Sequence, residues 1–244
     1  MAKTDAVRSP RSVTRAQPSL SGRRRRADGA KNDKNEKNDK NEAPYHHGAL
    51  REALLLAAEQ VLERDGLAGL TLRAVAREAG VSHAAPKHHF GDLTGLVSEL
   101  AAIGFRQFGA AMAACDAASS PLERLVARPK AYVAYAQAHP GMYSLMFRTE
   151  RLDLSRPSLR EAAETSFASL ANAIGAMRRE PISGDLLTLD QAAAIALAWS
   201  MVHGFTMLLL EGRIGGILHR LPQGTTAEQL LEAMLKAIVW KLPS

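Results

Sequence analysis

The sequence predicts an all-α protein, with a small N-terminal three-helix module followed by a larger helical domain. Three observations carry this. Apolar residues recur at helical spacing from Leu50 almost to the C-terminus. Breaker residues punctuate that pattern, as in "HPG" (His139–Gly141) and "EPISG" (Glu180–Gly184). No alternating apolar–polar run is long enough to make a strand. With 244 residues the chain has ample material for a buried core.

Residues 1–44 stand apart. They hold 12 Lys/Arg against 6 Asp/Glu, whereas residues 45–244 hold 19 of each, so the whole net charge of +6 belongs to this tail. Too few apolar residues are present there to offset the entropy of ordering, and a disordered basic tail is expected. Within it, "RRRR" (Arg23–Arg26) is a compact cationic cluster of the kind that anchors nucleic acid or anionic lipid non-specifically. "KNDKNEKNDKNE" (Lys31–Glu42) repeats a three-residue unit without net charge and reads as a solvated spacer. The single cysteine, Cys115, excludes an internal disulfide, and with no secretory signal in view a reducing cytoplasm is expected.

Folding begins near Tyr45. Leu50, Leu54, Ala57 and Val61 share one helix face, with Arg51, Glu52, Glu59 and Glu63 on the other. Gly66 and Gly69 end that helix. Thr71 is placed to cap a second helix whose Leu72, Val75, Ala76 and Ala79 face inward. Gly80 then supplies a tight turn, and Ser82 is the expected cap of a short third helix. Longer helices are expected at about 92–117, 121–139, 141–148, 157–179, 188–212 and 226–242. Thr188 with Gln191, and Thr225 with Glu228, have capping-box spacing, and Pro129 should kink or divide its helix. Ala192–Leu210 carries no charge over 19 positions, but Ala, Ser, His, Gly and Thr interrupt it, so a helix buried in protein is expected rather than a membrane span.

Two short helices joined at a glycine, resting on a first helix, form a helix-turn-helix. In such modules the second helix enters the major groove of double-stranded DNA, and its first residues reach base edges. His83, Ala84, Lys87 and His88 would then face DNA, with the backbone N–H groups at Ser82 toward a phosphate. Pro86, placed as the fourth helical residue by that cap, forfeits at most one intrahelical bond. A metal site fits poorly. His88 and His89 point about 100° apart on a helix, and His83 lies five residues from His88, so no i, i+4 imidazole pair forms. No paired nucleophile, carboxylate dyad or phosphate-cradling glycine loop supports an enzyme. No catalytic residue, metal or cofactor is expected. A third class, a protein held on anionic membrane by its arginines, would lose its binding when residues 1–44 are deleted, whereas sequence-specific DNA binding would survive.

"TLRAVAREAGVSHAAPKHHFGDLTGL" resembles the helix-turn-helix signature of the tetracycline-repressor (TetR) family. Further on, "HPGMYSLMF" and "WSMVHGFTMLLL" resemble its C-terminal part, and Trp199, His203 and Gly204 are similar to the W-H-G pattern of one C-terminal class. The resemblance runs from Tyr45 to the C-terminus. It implies a DNA-binding domain over 45–91 and an effector-binding and dimerisation domain over 92–244. By position, Thr71 and Arg73 match residues that usually touch phosphate or base, His83 and Ala84 fall on groove-facing positions, and His89 on a frequent phosphate contact. Two departures stand out: Lys87 occupies the usual tyrosine position, and Leu93 lies where a phosphate-binding lysine is usual.

The function implied is that of a transcription regulator, a cytoplasmic repressor that grips a near-palindromic operator as a homodimer and leaves it when a small, largely apolar effector binds. Candidate pocket residues are Met142, Tyr143, Met146, Phe147, Phe167, Trp199, His203 and Met207, with His203 as the polar handle. For dimerisation, Leu230, Leu231, Met234, Leu235, Ile238 and Val239 form an apolar stripe, with Glu232 and Lys236 expected to pair beside it. The family implies a four-helix bundle between symmetry mates there. Residues 46–95 hold five Lys/Arg against six Asp/Glu, so one module alone should bind DNA weakly, and two are needed.

Overall fold

The computed structural model describes residues 45–115, 121–182 and 186–239. The basic tail expected over residues 1–44, with Arg23–Arg26 and Lys31–Glu42, lies outside them. Ten α-helices and no strand occur among the described residues, so the all-α expectation holds. The helices are α1 Tyr45–Gly69, α2 Leu72–Glu78, α3 Ala85–Phe90, α4 Leu93–Ala114, α5 Pro121–Ala138, α6 Pro140–Met146, α7 Pro157–Arg178, α8 Leu189–Leu210, α9 Gly215–Leu218 and α10 Ala227–Val239. A 3₁₀ turn, Thr149–Arg151, precedes α7.

Most of the chain is organised around α4. It packs along α7 and also contacts α6, α5, α1 and α3. One continuous core results: Leu54, Val61 and Leu62 of α1, Val75 of α2, Phe90 of α3, and Leu96 and Leu100 of α4 are buried together with Met142 and Leu145 of α6. The three N-terminal helices and the rest of the body therefore share apolar surface. A second cluster joins Val133 of α5, Phe205 of α8, Ile214, and Leu231 and Leu235 of α10.

Several local expectations need correction. α1 is interrupted at Gly66 as expected, but helical turns resume as far as Gly69. Of the kink or division expected at Pro129, the division does not occur, since α5 runs through it. The second capping box sits one residue later than expected: Thr226 accepts from Gln229 N–H at 3.2 Å, and Gln229 Oε1 accepts from Thr226 N–H at 2.9 Å. Glu232 pairs with Lys130 of α5, which also binds Glu228, and Lys236 acts on it only through its charge. The α10 stripe is partly intramolecular: Leu231 and Leu235 are buried in their own chain, and Leu230 and Met234 pack against the same cluster. The side chains of Ile238 and Val239 lie outside the description. The first box, Thr188 with Gln191, forms as expected.

The largest difference concerns α8. By length and composition it could cross a membrane, with mean hydropathy 1.8, yet it packs on α5 and α7 of the helical body. Burial within the chain is nevertheless sparse. Only Ile195, Val202, Phe205 and Thr206 are buried along it. Ala193, Ala196, Leu197, Ser200, Met207 and Leu208 are exposed, and at 100° per residue they fall on one face with Gly204.

Candidate nucleic-acid interface and effector site

The proposed reading surface is built on α2. Thr71 caps it, its Oγ1 accepting from Ala74 N–H at 3.1 Å. Ala74, Val75 and Ala76 turn inward, which leaves Thr71 and Arg73 exposed. The helix closes on Gly80, whose N–H donates to Arg77 O at 3.2 Å while Val81 N–H reaches back to Ala76 O at 3.0 Å. This paired closure needs a left-handed residue at the turn, and Gly80 has φ 66°, where a side chain would be strained. Val81 then packs on the core and fixes the exit direction.

Ser82 does not cap α3. The helix starts at Ala85 after a turn in which Ala85 N–H donates to Ser82 O at 3.0 Å, and its cap residue, Ala84, offers no side-chain bond. Pro86 is consequently the second helical residue, not the fourth. There its missing N–H is one of those that no helix satisfies internally. Pro86 and Phe90 are buried and anchor α3. Ser82, His83, Ala84, Lys87 and His88 are exposed, and His89 is half-buried, its ring 5.5 Å from that of His88. Of the acidic groups close in sequence, Glu78 is held by Arg64 at 2.9 Å and Asp92 caps α4 through Gly95 N–H at 2.7 Å. Leu93 packs against the core.

The predicted pocket residues divide into three groups. Met142 and Met146 are fully buried, their sulfurs close to Gly104 of α4, so they belong to the core between α4 and α6. Phe167 of α7 and Met207 of α8 lie on the surface, at 43% and 37% exposure, and Trp199 is as exposed, at 42%, although its ring reaches Phe147 and His203. Tyr143, Phe147, Trp199 and His203 do come together. The His203 ring lies 4.7 Å from Phe147 and 6.5 Å from Trp199, centroid to centroid, and its Nδ1 is 2.8 Å from Tyr143 Oη. Tyr132 of α5, absent from the sequence prediction, completes the group at 3.0 Å from the same nitrogen and 3.2 Å from the Tyr143 hydroxyl. Its signal was available: the chain is only 5% aromatic, so a tyrosine pair at 132 and 135 is conspicuous.

This group is neutral. Burial lowers the His203 imidazole below its ordinary range, raises Tyr143 to about 12 and pushes Tyr132 higher still. Both tyrosine hydroxyls converge on the one ring nitrogen, Nδ1, so the three polar groups form a single hydrogen-bonded set. The arrangement offers apolar ring faces with a small, uncharged set of hydrogen-bonding groups. A separate cleft of about 190 Å³ lies between Leu67, Leu70, Leu93, Val97 and Arg151.

Comparisons with known proteins agree with this architecture. Residues 54–100 match the family described as "Bacterial regulatory proteins, tetR family", and residues 125–238 match "Tetracyclin repressor-like, C-terminal domain". The second match takes in Trp199, His203 and Gly204. A protein of unknown function from a Rhodococcus species is 33% identical, with TM-score 0.66, over 83% of this chain and 100% of its own. The TetR family transcriptional regulator PfmR from Thermus thermophilus is 19% identical over 78% of this chain and 99% of its own, with TM-score 0.53. The multidrug binding protein EbrR, complexed with imidazole, is 22% identical over 83% and 95%, with TM-score 0.51. At those identities the last two establish the fold alone. No curated protein matches the chain. Both family matches fall in chain order on the helix-turn-helix and on the helical body, and so the chain belongs to the TetR family of transcription regulators, DNA-binding proteins with a ligand-binding C-terminal domain rather than enzymes.

Proposed function

We propose that the protein is a cytoplasmic repressor that binds a near-palindromic operator as a homodimer and is released by a small, largely apolar effector. Residues 45–91 form its DNA-binding part, and residues 92–244 bind effector and dimerise. The observation that carries the DNA assignment is the division of α3. Pro86 and Phe90 are its buried anchors, while Lys87 and His88, with His83 and Ala84 just before them, are open to a partner. His83 and Ala84 read base edges. Thr71, Arg73, Ser82, Lys87, His88 and His89 hold phosphates or flanking bases. In the body, Tyr143, Phe147, Trp199 and His203 hold the effector's apolar part, and the His203 imidazole is the polar handle that hydrogen-bonds to it. A ligand that favours one separation of the two heads shifts the population away from the DNA-bound state.

Selection of binding sites from random DNA tests this directly, with recovery of a near-palindrome expected. Two substitutions sharpen it. His83→Ala should change the selected bases, and an unaltered consensus would remove His83 from the groove. Lys87→Ala should weaken all sites alike and flatten the salt slope of binding by about one unit. A loss confined to one base pair would contradict its phosphate role.

The neutral imidazole adds a pH dependence. His203 has a folded-state pKa below its unfolded one, so below about pH 6.5 the unfolded chain binds a proton that the folded chain refuses. That share of stability is complete above about pH 6.5 and is lost as pH falls toward the depressed value. Denaturant unfolding of wild type and His203→Gln at pH 7.5 and 5.5 measures it. The stability difference between the two proteins should shift in favour of the variant at the lower pH, and a difference independent of pH would show that the ring is not held neutral.

A further inference from the structure

The C-terminal end of α3 is held from outside the reading module. Phe90 closes the helix, and its carbonyl oxygen, which α3 itself leaves unpaired, accepts from Arg156 Nη2 at 3.1 Å. Arg156 is the residue immediately before α7. Its Nη1 lies 3.4 Å from Oε1 of Glu99 on α4, and Ser158 Oγ donates to that same oxygen at 2.9 Å. The other Glu99 oxygen takes Arg51 of α1 at 2.6 Å, and the Arg51 guanidinium lies 5.4 Å from the centre of the Phe90 ring. Asp153 stands 3.7 Å from Arg156 Nε. Burial pushes the Glu99 carboxyl up, but Ser158, Arg51 and the charge of Arg156 outweigh it and hold the group below the usual range. The carboxylate is therefore ionised and fully engaged. Gly95 makes the approach possible, since a Cβ there would lie 2.0 Å from Phe90 O and 2.4 Å from Arg156 Nη2.

Four elements, α1, α3, α4 and α7, thus meet at one carboxylate and one guanidinium. The chain passes from α3 to α4 through Gly91 and Asp92 alone, so the short backbone link leaves the tilt of a six-residue helix on the body to side-chain contacts. Arg156 is suited to fix it. A planar fork can serve a carbonyl and a carboxylate together, which the point charge of a lysine does less well. Tilt matters because a dimer reads two half-sites at one separation, and a loosely held head tolerates others.

Resting on the DNA-binding function proposed above, we infer that Arg156 is a positioning residue that sets the half-site spacing the dimer accepts, by fixing the recognition helix to the body through Phe90 O and Glu99. The test uses the full chain, the operator it selects from random DNA, and operators with one base pair added or removed at the centre. Wild type should discriminate strongly between spacings. In Arg156→Gln the penalty for wrong spacing should shrink by about tenfold, the scale of a lost charge-assisted hydrogen bond. Glu99→Gln, which keeps its shape and leaves the bond to Phe90 O in place, should shrink it less and serves if the first variant does not fold. A purely structural role would lower stability or overall affinity while leaving the ratio between spacings unchanged. That ratio, unchanged in the folded variants, would overturn the inference alone. A wild-type chain that selects no DNA sequence would overturn the DNA-binding function and this inference with it.

Discussion

Gly95→Ala is expected to weaken operator binding more than tenfold and to lower stability by about 1–3 kcal/mol, the usual range for an overfilled site. The new Cβ would stand 2.0 Å from the Phe90 carbonyl oxygen, a separation that real Cβ atoms do not adopt. The obstacle is backbone at the end of α3, so no rotamer change relieves it. Either α3 lifts from α4 or the start of α4 bends, and both move Lys87 and His88. Thermal melts followed by circular dichroism, with gel shifts on the selected operator, measure the two effects together. A variant with wild-type affinity and stability would mean that α3 and α4 do not approach as described.

The second large effect belongs to α8. Its exposed face, with Ala193, Leu197, Ser200, Gly204 and Leu208 in line, is apolar and built of small residues at its centre, as a close helix–helix contact requires. Leu197 is 54% exposed and Leu208 42% in the single chain, so neither is needed for the chain's own core. Under the proposed homodimer, Leu197→Glu should yield a folded monomer in sedimentation experiments. Operator affinity should fall by about a hundredfold or more, because the second half-site no longer binds as part of the same assembly. A variant that remains dimeric would place the interface elsewhere.

Sequence alone anticipated the helices well, because their ends are marked chemically. Thr71, Gly80, Thr188 and the "HPG" break all act where periodicity places them. The local errors have local causes. Thr225 with Glu228 and Thr226 with Gln229 both satisfy the capping-box spacing, so the pattern could not choose between adjacent threonines. Ser82 is a good cap by residue type, but a start at Ala85 puts Pro86 where its missing N–H costs nothing.

The remaining differences are long-range. Glu232 reaches Lys130 instead of its helical neighbour, and Arg156 meets Glu99 from 57 positions away, contacts that no local pattern encodes. Periodicity also marked Met142 and Met146 as apolar without showing which wall they line, and the fold gives them to the α4 side. For α8, composition foretold burial, while a single chain supplies only part of the cover. The proposed partner chain would supply the rest.

One measurement bears most directly on the claim that α3 is a reading head presented twice. An iron-chelate cleavage reagent is attached at position 84, through Ala84→Cys in a Cys115→Ser background, and bound to the selected operator. The expected result is two clusters of cuts, centred about 34–36 Å apart or a multiple of that, as two recognition helices in successive major grooves require. A single cluster, or none on DNA that the labelled protein demonstrably binds, would contradict it.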